Sequence, residues 1–319
     1  MNHVWSDINM NPLPPDAAAL PTIEAEPWFC IDPDPGKCIE GPVADAEGNL
    51  YVCVAIPFGP NPKIVKITPD RVMTDFYLSD GSDLPVGCAF HKDGRLFVAA
   101  MFGGFTVLNP DGTLDRRIMP TYDDGTTAFP NDCVFDEKGN LYFSDYKGHI
   151  GCPNGAISRL DADSDYHHVT KIVGNMMMPN GLSFSPDFRT LWVAESNRNA
   201  IVQIRITETG ELPTIGESVN VIWYGTGLQI PDGNKIDADG NFYQALMRAG
   251  RVLIMNRAGV PIANVTVPHR GEGMYDASAN LVLNPCAQEA FLLTSGSAGP
   301  HVLKFPTLAP AQQLFFQQK

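Results

Sequence analysis

The sequence is short of positive charge. Its 22 Lys and Arg stand against 36 Asp and Glu, for a net charge of −14. No basic stripe is present to neutralise phosphates, which argues against a nucleic-acid partner. No Cys-x-x-Cys occurs, and the seven cysteines are odd in number and scattered. A chain of 319 residues can build a core without a disulfide scaffold. Most of its thiols are therefore expected to be small buried hydrophobes in a reducing compartment, with a Cys30–Cys38 link the one pairing left open. The first thirty residues contain acids and prolines but no basic start followed by an apolar run. No apolar run approaches the length of a membrane span. The expectation is a cytoplasmic protein with no membrane partner. No long amphipathic helical window competes with the strand signals. Gly296-Ser297-Ala298-Gly299 misses the Gly-x-Ser-x-Gly spacing, which argues against a serine esterase.

What the chain does have is punctuation and repetition. Its 29 Gly and 27 Pro are spread between apolar segments, as turns between strands would be. Asp45-Ala46-Glu47-Gly48-Asn49-Leu50-Tyr51-Val52 is a turn feeding a strand. It returns as His91–Val98, Asp136–Phe143, Ser185–Val193 with one extra residue, Asp237–Tyr243 and, degenerate, Asn284–Leu292. The aromatic marks Tyr51, Phe97, Tyr142, Trp192, Tyr243 and Phe291 recur about every 48 residues, a propeller-like period. A second strand signal follows each mark, at 63–68, 104–108, 156–160, 201–206, 251–255 and 301–305. Six such units predict an all-β, six-bladed β-propeller with four-stranded blades around a central tunnel. Residues 1–22 read as a loose N-terminal arm and 23–319 as a single propeller domain. Closure is expected through a strand near Trp28 paired with the last repeat, and Leu314-Phe315-Phe316 is expected to join that blade as a strand.

Residues at one phase of a propeller repeat share one height around the axis. Eleven positions before Tyr51, Tyr142 and Tyr243 lie Glu40, Asn131 and Asp232; twelve before Trp192 lies Asn180. Each stands beside Pro or Gly at the start of an expected innermost strand. Val86 and Asn280 hold the phase in the other two repeats. Two carboxylates and two amides converging on one point are hard oxygen donors. They suit Ca²⁺, with Mg²⁺, Mn²⁺ or Zn²⁺ as alternatives. Asp161-Ala162-Asp163-Ser164-Asp165 begins like a calcium loop but lacks the Gly and Glu that such a loop needs, and reads as a hairpin turn.

The chain also resembles the gluconolactonase/senescence-marker-protein (regucalcin) family of six-bladed propellers, and within it the drug-responsive lactonases. The resemblance rests on Ile39-Glu40-Gly41-Pro42, His91–Val98, Asn131-Asp132-Cys133-Val134-Phe135-Asp136, Pro179-Asn180-Gly181-Leu182, Leu191–Ser196 and Pro231-Asp232-Gly233. It implies a Ca²⁺-type ion held by Glu40, Asn131, Asn180 and Asp232, with Asp232 also the proton donor or general base. The implied reaction is hydrolysis of a small cyclic ester. The sugar-lactone members carry an Arg just before the third-blade Asn; here the stretch is Thr126-Thr127-Ala128-Phe129-Pro130, which favours a less polar lactone. The resemblance further implies a second calcium at Asp123 and Thr126. Phe102, Phe129, Met247, His269, Met274 and Tyr275 are candidates for the pocket wall. Two other readings keep part of this pattern. One is another ester or organophosphate hydrolase on the same site; the other is a non-enzymatic calcium-binding interaction module.

Overall fold

In the computed structural model, residues 13–55, 61–214, 218–227 and 229–318 are described. The first twelve residues of the expected arm lie outside them. After a short helix α1 (Pro15–Ala18) come β1 (Thr22–Glu24) and β2 (Glu26–Cys30). Blade one is β3 (Cys38–Ala44), β4 (Leu50–Ala55), β5 (Lys63–Ile67) and β6 (Met73–Leu78). Blade two is β7 (Pro85–Phe90), β8 (Leu96–Ala100), β9 (Gly104–Leu108) and β10 (Leu114–Ile118). Blade three is β11 (Pro130–Phe135), β12 (Leu141–Asp145), β13 (Gly155–Leu160) and β14 (Val169–Met176). Blade four is β15 (Pro179–Phe184), β16 (Thr190–Glu195), β17 (Ala200–Arg205) and β18 (Val219–Tyr224). Blade five is β19 (Ile230–Ile236), β20 (Phe242–Met247), β21 (Arg251–Met255) and β22 (Pro261–Thr266), extended by β1 in parallel. Blade six is β23 (Ala277–Leu283), β24 (Glu289–Ser295) and β25 (His301–Pro306), completed by β2 from the start of the chain.

The repeated turn explains itself chemically. The Asp45 carboxylate accepts the backbone N–H groups of Glu47 and Asn49, the Asn49 amide and the Tyr51 hydroxyl. Asp237 does the same with Asp239, Asn241 and Tyr243. Asp136 does so with Lys138 and Asn140. One side chain thus satisfies the donors of a tight turn, while Gly48, Gly139 and Gly240 supply its positive φ. In the fourth copy, which has the extra residue, Phe188 takes the left-handed position with φ 57°.

The first strand of each blade is the inner one, and β3, β7, β11, β15, β19 and β23 pack in a closed circle. Six apolar clusters fill the six gaps between neighbouring blades. The aromatic marks stand in those gaps. Phe97 meets Phe135 edge-on at 5.2 Å, Tyr142 meets Phe184 at 5.0 Å, and Trp192 stacks on Phe242 at 4.5 Å. Each such ring contributes about 2–3 kcal/mol by burial alone. The repeat period is therefore the spacing of interblade packing.

Two expectations change. Leu314-Phe315-Phe316 is not a strand: Phe315–Gln317 forms a 3₁₀ turn that covers one mouth of the central channel. The two rings find apolar partners there, Phe315 against Phe135 at 5.5 Å and Phe316 against Phe90 at 5.6 Å, and β2 already supplies the outer strand of blade six. The thiols are also more evenly divided than expected. Cys53, Cys88 and Cys133 are buried, Cys30, Cys152 and Cys286 are exposed, and all seven are free, so Cys30 and Cys38 are unlinked.

Candidate metal centre in the central channel

Every inner strand breaks register near its start. The irregularities fall at Glu40/Val43, Pro85/Gly87, Pro130/Cys133, Pro179/Leu182, Pro231/Asn234 and Ser278/Asn280. In each, the inner strand has one residue more than its partner, which is a β-bulge, and a bulge re-aims side chains. Asn131, Asn180 and Asp232 lie inside these bulges, and Glu40 flanks one. The bulges hold the six inner strands close around the axis. A Cβ on Gly87 would come within 2.3 Å of the Asn131 carbonyl oxygen, and one on Gly181 within 2.5 Å of the Asp232 carbonyl oxygen. That crowding explains why Gly follows the phase residue in four of the six repeats, at Gly41, Gly87, Gly181 and Gly233.

Glu40, Asn180 and Asp232 act on one another. Asp232 is 5% exposed, with the Asn180 amide near enough to favour its charged form. The same amide donates to Ser196 Oγ at 3.1 Å, and that hydroxyl donates to the Pro231 carbonyl at 2.7 Å. Ser196 therefore fixes the Asn180 amide. Burial pushes the Asp232 carboxyl up to about 8, Asn180 pulls it back and the charge of Asp132 adds to the rise. Glu40 is pushed well above the usual carboxylate range, first by burial and then by the charges of Asp232 and Asp132. The Asn280 amide lies 3.5 Å from Glu40 Oε2. Asn131 is half-buried in the bulge of β11, which packs beside β15.

Four residues beyond the expected set belong to this neighbourhood. Asp132, 2% exposed, raises both carboxyls and is itself raised by burial. Its signal was in the sequence: where Gly follows Glu40, Asn180 and Asp232, Asp follows Asn131. Ser196 and Lys235 had no repeat-phase signal. The Tyr146 hydroxyl is pushed up by burial and by the charges of Asp232 and Glu40; it follows β12, outside any motif.

The wall candidates divide. Phe102 and Phe129 meet edge-on at 5.2 Å, with Phe102 largely in solvent. The Phe129 carbonyl accepts the Tyr146 N–H at 2.8 Å, which joins this pair to the acids. Met247 ends β20, half-buried. Met274 and Tyr275 pack into the cluster between blades five and six, with Tyr275 buried against His301 at 5.2 Å. His269 is exposed, with Nδ1 3.5 Å from Glu272. Asp123 and Thr126 lie exposed in a turn, where the Thr126 hydroxyl donates to Asp124 at 2.6 Å.

Asp232, buried, and Glu40, half-buried, both have carboxyls raised by neighbouring negative charge, an arrangement that would suit a cation. Asp132 Oδ2 is a buried oxygen without a hydrogen-bond partner, 3.9 Å from the Lys235 ammonium. Among the described residues no three His, Cys, Asp or Glu side chains could hold a metal, so an ion here depends on amide oxygens as well. Oxygen donors of this kind suit a hard divalent cation.

Residues 24–272 match the family described as the SMP-30/Gluconolactonase/LRE-like region. The chain belongs to this family. It is 35% identical over 268 residues to a protein named lactonase drp35 from Staphylococcus saprophyticus, covering 82% of this chain and 79% of that one. It is 32% identical over 282 residues to its namesake from Staphylococcus haemolyticus, covering 86% and 83%. Solved structures share the fold at lower identity. A gluconolactonase from Xanthomonas campestris has a TM-score of 0.67 at 19% identity, covering 90% of this chain and 99% of that one. A calcium-binding regucalcin from Agrobacterium tumefaciens has a TM-score of 0.65 at 15% identity, covering 92% and 99%. Among the described residues no helix is long and apolar enough to cross a membrane.

Proposed function

We propose that this family member is a divalent-metal-dependent lactonase of the Ca²⁺ type, opening a small, weakly polar cyclic ester. The observation that carries the reading is the pair of buried Asp232 and half-buried Glu40 on inner strands, both with raised carboxyls, and the Asn180 amide near Asp232. The relatives named lactonases support the reaction class. Glu40, Asn131, Asn180 and Asp232 would hold the ion. Bound there, the ion would supply Lewis acidity to the ester carbonyl.

The protein's own residues do the rest. Near Asp232 the Asn180 amide donates to Ser196, whose hydroxyl donates to the Pro231 carbonyl. In the hydrolysis Asp232 takes a proton from water or delivers one to the leaving alkoxide. The raised Tyr146 hydroxyl keeps its proton at neutral pH and can donate a hydrogen bond to substrate oxygen. Phe102 and Phe129 offer an apolar edge beside it, and no arginine precedes Asn131 to bind a polyol.

The test is acid release by pH-stat from aliphatic, aromatic and sugar lactones and from a phosphotriester. Wild type and Asp232→Asn are compared with and without chelator. Metal-dependent turnover of the less polar lactones, lost in the variant, is expected. Turnover of the phosphotriester alone would move the reading to an organophosphate hydrolase. No turnover of any substrate by folded, calcium-loaded protein would leave a binding module.

A further inference from the structure

Near the Glu40–Asp232 level the channel carries a third carboxylate and one ammonium. Asp132 comes from blade three. Its Oδ1 accepts the Cys133 N–H at 2.8 Å, while Oδ2 has no hydrogen-bond partner. Lys235 comes from blade five, so the pair spans blade four. Its Nζ donates to the Asn234 carbonyl at 2.9 Å and stops 3.9 Å from that Oδ2. Further along the channel lies a cavity of about 70 Å³, closed by Leu314, Phe315 and Phe316. Among the described residues that line it, Lys235 alone is charged. Lys235 is half-buried, and an ammonium beside so apolar a cavity is stabilised by a partner charge.

The charges can be counted by sign. Glu40, Asp232 and Asp132 bring three negative charges when ionised, and Lys235 returns one positive charge. The deficit is two, the charge of one divalent cation. We propose that Lys235 is the channel's built-in counter-ion and, through Asp132, sets at two the charge of the ion that the site prefers. Lys235 need not touch the ion. Its ammonium neutralises Asp132, which would otherwise add a full negative charge beside the ligands. In a poorly screened channel one unit of charge acts over several ångströms. This inference rests on the reading of the axis as a cation site.

The experiment compares Ca²⁺ and Tb³⁺ binding by calorimetry and terbium luminescence, on the full chain stripped with chelator. The wild type is expected to bind one Ca²⁺ per chain at the axis. Lys235→Met is expected to raise the Tb³⁺/Ca²⁺ affinity ratio by at least about tenfold. Asp132→Asn is expected to lower it. The Asp132→Asn/Lys235→Met double variant, whose charge matches the wild type, is expected to return the ratio to within about threefold of wild type. If Lys235→Met does not fold, Asp132→Asn and the double variant decide the matter in the same way. Calcium binding with an unchanged ratio in the folded variants would overturn the role of Lys235 and leave the metal site standing. No calcium binding by the wild type would remove both.

Discussion

Asp232 is held where a carboxylate on its own is least at ease. It is buried, beside other acids, with one amide to steady it. Asp232→Asn is therefore expected to lower lactone turnover by at least about 100-fold in the pH-stat assay, with the fold retained. The same burial gives a pH signature. Asp232 and Glu40 bind protons more tightly in the folded chain than an unfolded carboxyl does, which titrates at about 4. From there up to about 8 the native state holds the extra protons. Stability of the metal-free protein should fall as pH rises through that window and level off above it. Surface acids held low, such as Asp80 and Asp93 at about 2, act below it. Thermal melts in chelator should run higher at pH 5 than at pH 8, and added Ca²⁺ should raise the melting temperature more at pH 8. A calcium gain equal at both pH values would count against the two acids as its ligands. The repeat phase picked out Glu40, Asn131, Asn180 and Asp232, because one position in each repeat is one height on the axis, and all four lie on inner strands in or beside a bulge. Tyr146, Ser196 and Lys235 were not legible: no repeat position marks them, and they join through tertiary proximity alone.

Among the elements, the inner strands matter most, and their bulges make them so. The Gly residues at these bulges are steric requirements before they are turn residues. Gly87→Ala would force its Cβ against the Asn131 carbonyl, which cannot retreat without moving β11. A cost of about 1–3 kcal/mol is expected in denaturant melts, together with weaker calcium binding as Asn131 shifts. An unchanged calcium affinity would separate the bulge from the site. At the other end of blade six, Trp28 on β2 packs on Phe291 at 4.7 Å, with Arg71 over its ring. Trp28→Ala should cost roughly 2–4 kcal/mol, read as an earlier cooperative unfolding transition. Strand positions could be read from the sequence because turn chemistry and aromatic spacing repeat; the third strands of the blades fall within a residue of their expected starts. The segment 314–317 misled for a physical reason. Its Phe pair satisfies a strand pattern and a plug equally well, and only the open apolar mouth decides between them.

On the scale of the whole molecule, the ring has two unlike mouths. One presents the bulges, the acids and the Phe102–Phe129 edge; the other is stoppered by residues from Pro310 onward. The stopper is held by the Gln312 amide on the Phe184 carbonyl and by the Ala238 N–H on the Pro310 carbonyl. Removing residues 308–319 should bare Phe90 and Phe135. The expected outcome is a lower melting temperature and new binding of a hydrophobic dye, with unaltered dye binding the contrary result. Blade six carries a different implication, one of timing. It is assembled from β2 and from strands some way past residue 270, with Glu26 paired to Lys304. At about 5–20 residues per second, a ribosome takes tens of seconds to make the intervening chain. Throughout that interval β2 has no mate and blade one has an open flank. During synthesis the early blades must be shielded from one another and from neighbouring nascent chains, so this fold should depend on chaperones more than its finished stability suggests.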